Sequence, residues 1–306
     1  MQNVSFIEDG IRTAVAIGKF DGLHLGHRKL LDEIKSYGDR GLKSLVFTFE
    51  SPVADYITGE KSSMLTPNPE KIRLMEEAGI DYIYMMPVNK DTVSYDPEAF
   101  VRDILASKLK AGLIAAGSDL SFGDKGEGNM VLLRKLSKES GGSLDYKVSE
   151  IEKVRYDDED ISSSLVRDAV ASGEMERVRD MLGRPYSIEG EILHGKGLGR
   201  TIGFPTANII PAEDKLMPPY GVYASETEVG GVRHRSITNI GIRPTVRDDD
   251  TVTAETNIID FDEDIYGQQA FVELLHFIRP ERKFDSVESL MAQMKKDSSY
   301  IEQRYA

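Results

Sequence analysis

Two of the chain's five histidines, His24 and His27, stand three residues apart in the stretch IGKFDGLHLGHRKLL, residues 17–31. Apolar residues before the stretch predict a strand, and apolar periodicity from Leu25 onward predicts a helix, so both rings fall on one face of the first helical turn. A helix start attracts anions through its N–H groups and its dipole. The imidazole pair therefore suits a polyphosphate, especially the charge that builds on phosphorus as a leaving group departs. A metal site and an ordinary polar helix start remain the alternatives.

A glycine-rich stretch, HGKGLGRTIGFPTAN at residues 194–208, could support a second phosphate site. Its glycines and cations let the backbone approach phosphate oxygens closely. Thr206 and Asn208 then offer oxygen ligands for a hard cation such as Mg²⁺. An ordinary glycine-rich turn of a barrel is the alternative interpretation.

A third stretch, Ile161 to Arg167, reads ISSSLVR and precedes an apolar-periodic segment. Serines in such a place are most often helix N-caps. The same hydroxyls and the Arg167 guanidinium could also grip triphosphate oxygens. On its own the stretch does not decide between the two.

The secondary structure predicted to position these residues changes along the chain, from alternating strands and helices in the first part to mostly strands in the second. In the first part, continuous apolar strands alternate with helical periodicity, which predicts βαβ units and a parallel sheet covered on both faces. We place the domain boundary between residues 183 and 184, giving domains 1–183 and 184–306. The strands predicted for the first domain are 13–18, 43–49, 81–88, 111–116 and 144–149. Its predicted helices are 25–37, 68–78, 97–108, 129–140, 163–172 and 174–182.

After Pro185, short runs rich in Val, Ile, Thr and Tyr predict a small closed antiparallel β-barrel. Gly230 and Gly231 separate two of these runs and predict a two-residue hairpin turn. An amphipathic helix is predicted at 286–304. The predicted barrel strands are 187–193, 206–210, 221–229, 232–239, 253–260 and 269–278.

Composition and charge narrow the function classes. With 306 residues, 40% hydrophobic and 29% charged, the chain fits a globular protein of two domains. A net charge of −14 argues against a nucleic-acid or anionic-membrane surface, which draws on clustered Lys and Arg. The lack of cysteine excludes disulfides, thiolate nucleophiles and sulfur-bound zinc. Because the sequence has neither a long apolar run nor a visible secretory signal, we expect a cytoplasmic protein.

Several motifs resemble those of a known enzyme family. GKFDGLHLGH resembles the GxFDGxHxGH signature of nucleotidyltransferases, and ISSSLVR resembles their I-S-S-T-x-I-R motif, with Ser164 for Thr and Val166 for Ile. GRTIGFPTAN is similar to the core motif of riboflavin kinases, and PYGVYA at 219–224, TNIGIRPTV at 238–246 and ETNIIDFDEDIYG at 255–267 follow in that family's order. Over nearly its whole length the chain is thus similar to the prokaryotic bifunctional riboflavin kinase/FMN adenylyltransferase family, also called FAD synthetase.

The resemblance implies an α/β chain: a Rossmann-like nucleotidyltransferase domain with a parallel sheet, then a riboflavin kinase-like antiparallel β-barrel with a C-terminal helix. It implies ATP, riboflavin and FMN as substrates and Mg²⁺ as the metal ion, held by Thr206 and Asn208. Glu255 would be the kinase base, and His24 and His27 would stabilise the α-phosphate during adenylyl transfer. The residues expected at the nucleotides are Gly18, Phe20, Gly22, Gly26, Asp119, Ser163, Ser164, Arg167, Gly195, Lys196, Gly199, Arg200, Gly203 and Pro205. We expect no nucleic-acid or membrane partner, and a monomer or weak homo-oligomer.

Two stretches of the first domain depart from the family's pattern. Where the family commonly has TFxPHP, this chain has TFESPVADY from Thr48, and the family's GxDFRFG becomes GSDLSFG at 117–123, losing one aromatic residue and one arginine. We expect adenylylation to be retained, with altered or weaker handling of FMN. The alternatives are a riboflavin kinase with a weakened or non-catalytic first domain, and a flavin-binding regulatory protein. Glu255 argues against the latter, since binding alone requires no base.

Overall fold

The computed structural model describes residues 1–194, 205–244 and 250–304, and its contacts divide the chain into two units, Met1–Ser163 and Ser164–Ala306. Six strands build the sheet of the first unit: β1 (Gln2–Asn3), β2 (Arg12–Ile17), β3 (Leu42–Phe49), β4 (Tyr82–Met86), β5 (Ala111–Gly117) and β6 (Lys147–Ile151). They run in the order β1-β4-β3-β2-β5-β6, and every pair is parallel. The predicted parallel sheet is confirmed, and β1 is a short addition at its edge.

Both faces of this sheet are buried, as the continuous apolar strands predicted. Val15 and Phe47 belong to the hydrophobic cluster on one side, while Ala14 and Val46 belong to the cluster on the other. Successive side chains of a strand point to opposite faces, so each central strand contributes to both clusters. Truncating a fully buried side chain such as Phe47 to alanine would cost about 3–5 kcal/mol of unfolding free energy.

Helices and turns connect these strands. The helices of the first unit are α1 (Leu25–Ser36), α2 (Val53–Thr58), α3 (Asn68–Glu77), α4 (Lys90–Val93), α5 (Pro97–Ala99) and α6 (Met130–Leu136). A π-helix, Phe100–Lys108, continues α5, so the helix predicted at 97–108 exists but changes its winding. The helix predicted at 129–140 ends earlier because Ser137 is extended, with φ −71° and ψ 140°, and a 3-10 turn, Lys138–Ser140, follows.

Short elements escaped the sequence prediction because two to six residues are too few to show a periodicity. They include α2 and α4, and the hairpin of β7 (Arg155–Tyr156) and β8 (Glu159–Asp160). Asp157, in the turn of this hairpin, has φ 51°, a left-handed conformation that Asp tolerates better than most residues.

A closed antiparallel barrel forms the second unit. Its strands are β9 (Tyr186–Leu193), β10 (Ala207–Ile209), β11 (Gly221–Val229), β12 (Val232–Pro244), β13 (Asp250–Ile258) and β14 (Gln269–Pro280). They close in the order β10-β13-β12-β11-β14-β9, with β9 pairing back to β10. The predicted hairpin turn is confirmed: Val229 pairs with Val232, and Gly230 and Gly231 both have positive φ, 59° and 78°.

The interior of the barrel contains a chain of buried hydroxyls. Ser225 Oγ lies 2.8 Å from Ser236 Oγ and 2.8 Å from Thr238 Oγ1. Thr227 extends the chain at the Ser236 end (2.8 Å) and Thr256 at the Thr238 end (2.9 Å). Burying a hydroxyl is costly unless it is hydrogen-bonded, and here the five satisfy one another across β11, β12 and β13.

Three helices accompany the barrel: α7 (Ser163–Ala171), α8 (Met175–Leu182) and α9 (Val287–Arg304). The division of the chain by contacts falls after Ser163, the first residue of α7, and so earlier than the predicted domain boundary at 183/184. The difference has a physical cause, since α8 packs on β14, where Glu176 Oε1 lies 2.5 Å from His276 Nδ1. The boundary at 183/184 stays a prediction.

Candidate active sites

The turn between β2 and α1 is held in an unusual backbone conformation. Phe20 and Leu23 have φ 52° and 42°, and Gly22 has φ 86°. Non-glycine residues adopt this left-handed region at a cost, and they do so mostly where the surroundings enforce it. Phe20 and Leu23 are buried, at 0% and 3% exposure, so the packing of their side chains in the core holds the turn in place.

Hydrogen bonds from distant residues hold the same turn from the sides. Thr66 Oγ1 accepts from Gly22 N (2.9 Å), and Thr66 N donates to Asp21 Oδ1 (3.0 Å). Ser163 Oγ donates to the Asp21 carbonyl (2.9 Å), and Thr48 Oγ1 donates to the Lys19 carbonyl (3.0 Å). The sequence did not point to Thr66 or Thr48, because each is far from the turn along the chain.

This turn places the paired histidines at the start of α1. His24 is the N-cap residue, with φ −66° and ψ 172°, and it is 7% exposed. The His24 and His27 rings stack with their centroids 3.8 Å apart, and the Phe20 ring lies 5.0 Å from that of His27. A Cβ on Gly26 would come within 3.1 Å of the His24 ring, so glycine leaves the ring its space. The result is two imidazoles presented together at a helix N-terminus, where negative charge is favoured.

A cavity of about 320 Å³ opens above this turn. It lies at the carboxyl ends of β2, β3, β5 and β6, the edge where open parallel sheets bind ligands. Phe47, Phe49 and Phe122 give it an apolar wall, and Lys19 and Lys153 add positive charge. Of the residues predicted at the nucleotide, those that line the cavity are Gly18, His24, Gly26, His27, Asp119 and Ser163.

The remaining first-site predictions lie elsewhere. Phe20 and Gly22 belong to the turn described above and support the histidines. Ser164 and Arg167 lie on α7, in the second unit, and their predicted contact with the triphosphate stays a prediction. Among the described residues, no cluster of three or more His, Asp or Glu that could hold a metal ion occurs.

In the barrel, strand register brings the predicted kinase residues together. Glu255 on β13 lies between Asn208 on β10 and Asn239 on β12 as their direct cross-strand neighbour. Directly opposed side chains share one face of a sheet, with Cβ atoms about 5 Å apart. Glu255 is half-buried, and Asn208 is 4% exposed.

Two cavities meet at Thr206. One, of about 280 Å³, is lined by Thr206, Asn239, Glu255 and Asn257 together with residues of α9. The other, of about 210 Å³, is lined by Thr206, Pro205 and Thr256 and by apolar and aromatic side chains that include Ile192, Phe261 and Tyr266. Thr206 is therefore a wall residue of both cavities.

The donor set near Thr206 fits a hard cation. Asn208 Oδ1 is buried, and no hydrogen-bond donor reaches it from residues 1–194, 205–244 or 250–304. Asn208 Nδ2 donates to the Thr206 carbonyl (3.3 Å), which turns the Oδ1 atom away from that contact. A buried acceptor without a hydrogen-bond donor usually binds a ligand or a water molecule. Asn257 Nδ2 donates to the Pro205 carbonyl (2.7 Å) and so fixes the start of the strand.

One wall of the larger cavity was not found from the sequence. Arg279 on β14 and Asp297 on α9 form an ion pair of 2.8 Å, with side chains only 18% and 4% exposed. Gln293 Nε2 donates to the same carboxylate (2.6 Å), and the Arg282 guanidinium lies 4.7 Å from the centre of the Phe284 ring. These contacts attach α9 to the barrel beside Glu255. Each residue stands alone in the sequence, with no motif to single it out.

Five residues predicted to wrap phosphates lie outside the described residues: Gly195, Lys196, Gly199, Arg200 and Gly203. Their roles stay predictions. Of the glycine-rich stretch 194–208, the structure describes His194 and Pro205 to Asn208.

Two family models match the chain, one described as FAD synthetase over residues 7–165 and one described as riboflavin kinase over residues 182–305. A Listeria monocytogenes protein described as bifunctional riboflavin kinase/FMN adenylyltransferase is 38% identical over 290 residues, 94% of this chain and 90% of the relative. The chain belongs to the bifunctional riboflavin kinase/FMN adenylyltransferase family. Each of the two family models thus covers one of the two candidate sites.

A second relative carries the same description, and one solved structure shares the fold. A Bacillus subtilis relative of the same description is 35% identical over 298 residues, 95% of this chain and 92% of the relative. The solved structure of a Streptococcus pneumoniae protein described as a macrolide-efflux protein has a TM-score of 0.86 at 28% identity, covering 100% of this chain and 99% of that one. Within the described residues, none of the helices is both long and apolar enough to cross a bilayer.

Proposed function

We propose that this chain converts riboflavin to FMN in the barrel and FMN to FAD in the first unit, using one ATP for each step. The main support for the proposal is that each matched segment has its own cavity, and that each cavity is lined by side chains suited to phosphate transfer. In the segment matched to FAD synthetase this is the imidazole pair, and in the segment matched to riboflavin kinase it is Thr206 beside Glu255.

In the kinase step, riboflavin occupies the larger barrel cavity with its ribityl end toward Glu255, and ATP occupies the smaller one. Glu255 accepts the proton of the terminal ribityl hydroxyl, whose oxygen forms a bond to the γ-phosphorus of ATP while the bond to ADP breaks. Asn208 and Asn239 are the direct cross-strand neighbours of Glu255. Arg279 and Asp297 fix α9 as a wall of the flavin cavity.

Thr206 and Asn208 are the residues that would hold Mg²⁺, because the Thr206 hydroxyl and the buried Asn208 Oδ1 both offer oxygen ligands and Thr206 lines both cavities. When bound, the ion would neutralise charge on the phosphate oxygens. Glycine and cationic residues between 195 and 203 are proposed to contact the phosphates.

In the adenylyltransferase step, a phosphate oxygen of FMN attacks the α-phosphorus of ATP, and pyrophosphate leaves. His24 and His27 donate hydrogen bonds to the charge that develops around the α-phosphorus. Ser163, Ser164 and Arg167 are proposed to bind the β- and γ-phosphates. No covalent bond to the protein is needed.

The decisive experiment supplies purified protein with riboflavin, ATP and Mg²⁺ and separates the flavins by chromatography. We expect FMN to appear first and FAD to follow, with pyrophosphate released in step with FAD. FMN without FAD at high protein concentration would leave only the kinase half of the proposal, the outcome that the altered TFESPVADY and GSDLSFG stretches would explain.

We further propose a cytoplasmic location, since both steps consume ATP. The expectation of a monomer or weak homo-oligomer stays a prediction, which light scattering of the purified chain would measure.

A further inference from the structure

Lys153 is a cation of the first-unit cavity to which neither the motifs nor the proposed mechanism gives a role. It follows the carboxyl end of β6 and lines the cavity together with Ser162 and Ser163. Its Nζ lies 3.3 Å from Asp119 Oδ2 and 3.8 Å from Asp160 Oδ2. The lysine is therefore held by carboxylates from two sides, at the rim of a site that must bind anions.

The sheet order fixes where along the cavity this cation lies. β5 separates β6 from β2, which leads into the histidine turn. With strands spaced about 4.8 Å apart, Lys153 is attached roughly 10 Å from that turn, on the β6 side. Phe49, the last residue of β3, lies on the opposite side of β2. Ile161 N donates to the Val154 carbonyl (2.8 Å), so the chain returns beside Lys153 at Ser162, on the side away from Phe49.

The present partners of Lys153 hold it weakly. The Asp119 side chain is 71% exposed, that of Asp160 is 49% exposed and that of Lys153 is 40% exposed. Ion pairs at such exposure contribute little, because water screens them and the long lysine side chain loses freedom. An incoming phosphate, with more charge than one carboxylate, can replace either aspartate at small cost.

We propose that Lys153 is a nucleotide-binding residue of the adenylyltransferase site, which exchanges its aspartate partners for phosphate oxygens of ATP. The assignment rests on the proposed function of that site. Asp119 and Asp160 keep the ammonium group over the cavity until ATP arrives. The phosphate of FMN has the same chemistry, but it must approach the α-phosphorus from the side opposite the leaving pyrophosphate, and Lys153 lies on the side of the serines.

Steady-state FAD formation from FMN and ATP tests this with three variants. K153M keeps the length of the side chain and removes its charge, K153R restores a charge, and K147M removes the lysine that begins β6, whose Nζ pairs with Glu139 instead (3.4 Å). We expect K153M to raise the KM for ATP about fivefold, leaving the KM for FMN and the riboflavin kinase rate of the same chain unchanged. K153R should recover most of the loss, and K147M should behave as the parent protein.

A salt titration supplies a readout that a purely structural role would not move. Because a charge contact is screened, the KM for ATP of the parent protein should rise more steeply with salt than that of K153M. An unchanged KM for ATP in K153M, or a rise in the KM for FMN instead, would overturn the assignment. If the parent protein forms no FAD at all, the proposed function of the first unit fails, and the assignment fails with it.

Discussion

The two candidate sites position their functional side chains by different backbone structures, an irregular turn in one and regular strands in the other. In the first unit, a turn with left-handed backbone conformations follows a parallel strand and places His24 and His27 at the N-terminus of α1. In the barrel, Glu255 and its asparagine neighbours are placed by the alternation and register of regular antiparallel strands. The comparison teaches that a turn needs many distant supports, such as Thr66, whereas a register supports itself through its own hydrogen-bond ladder.

The largest expected effect separates the two sites by removing the kinase base. E255Q keeps the shape of the side chain but cannot accept a proton, so riboflavin phosphorylation should fall by about a thousandfold. FAD formation from added FMN should continue at the parent rate, which also reports that the protein is folded. A kinase rate within a few fold of the parent would mean that another group is the base.

The corresponding change in the first unit is H24N, which removes one of the stacked rings. FAD formation should fall by about a hundredfold, because the shorter asparagine amide cannot place a donor where the imidazole Nε2 lay. Riboflavin kinase activity, measured on the same preparation, should not change. Equal losses in both activities would show that the substitution damages the fold, and no loss in either would remove His24 from the mechanism.

A third prediction addresses the turn itself. In G26A the new methyl group would come within 3.1 Å of the His24 ring and displace it, so FAD formation should fall about tenfold. Stability should not fall, since alanine is favoured over glycine in a helix by up to about 1 kcal/mol. G38A, where nothing lies within 4 Å of the added Cβ, is the control and should leave FAD formation unchanged. A G26A protein with full activity would show that the His24 ring position is not critical.

The smallest expected effect concerns the stability of the sheet that carries the turn. Burial tends to raise the pKa of Asp81, but hydrogen bonds from the Ser44 side chain and backbone and the Lys43 ammonium group outweigh it and hold the pKa below its ordinary value. A lowered folded-state pKa stabilises the fold above the unfolded-state value and ceases to do so as the pH falls through the folded-state value.

D81N should therefore lower the unfolding free energy by about 1 kcal/mol at pH 7, after allowance for solvent screening, and by less below pH 4. Thermal melting at the two pH values measures the difference. D9N serves as the control, since Asp9 pairs with Lys110 at 97% exposure and should have little effect at either pH. A D81N penalty that persisted in acid would point to lost packing rather than lost charge.

Much of this architecture could be predicted from the sequence, because its signals are periodic. The strands of the parallel sheet and the paired glycines, Gly230 and Gly231, follow from local patterns that the structure confirms. The pairing of His24 with His27 follows from helical spacing in the same way. The supports of the first site could not be predicted, since Thr66 carries no periodic signal and meets the turn only after the chain has folded.

Lys153 is intermediate between the features that the sequence predicts and those that it does not. No motif contains it, yet it lies four residues beyond the strand predicted at 144–149, near the edge where ligands of parallel sheets bind. Attention to that edge alone would have found it. By contrast, Arg279 and Asp297 meet only because α9 folds back on the barrel, a packing that helix periodicity does not specify.

The hydroxyl chain inside the barrel bears on how this protein could be redesigned. Replacing Thr238 alone by valine would take from Thr256 the hydroxyl 2.9 Å away, at a penalty of about 1–3 kcal/mol for the stranded group. Exchanging both threonines together for apolar residues of similar shape avoids that penalty. A more apolar barrel interior therefore requires both residues of a hydrogen-bonded pair to be replaced together. A library of single substitutions would not contain such a variant.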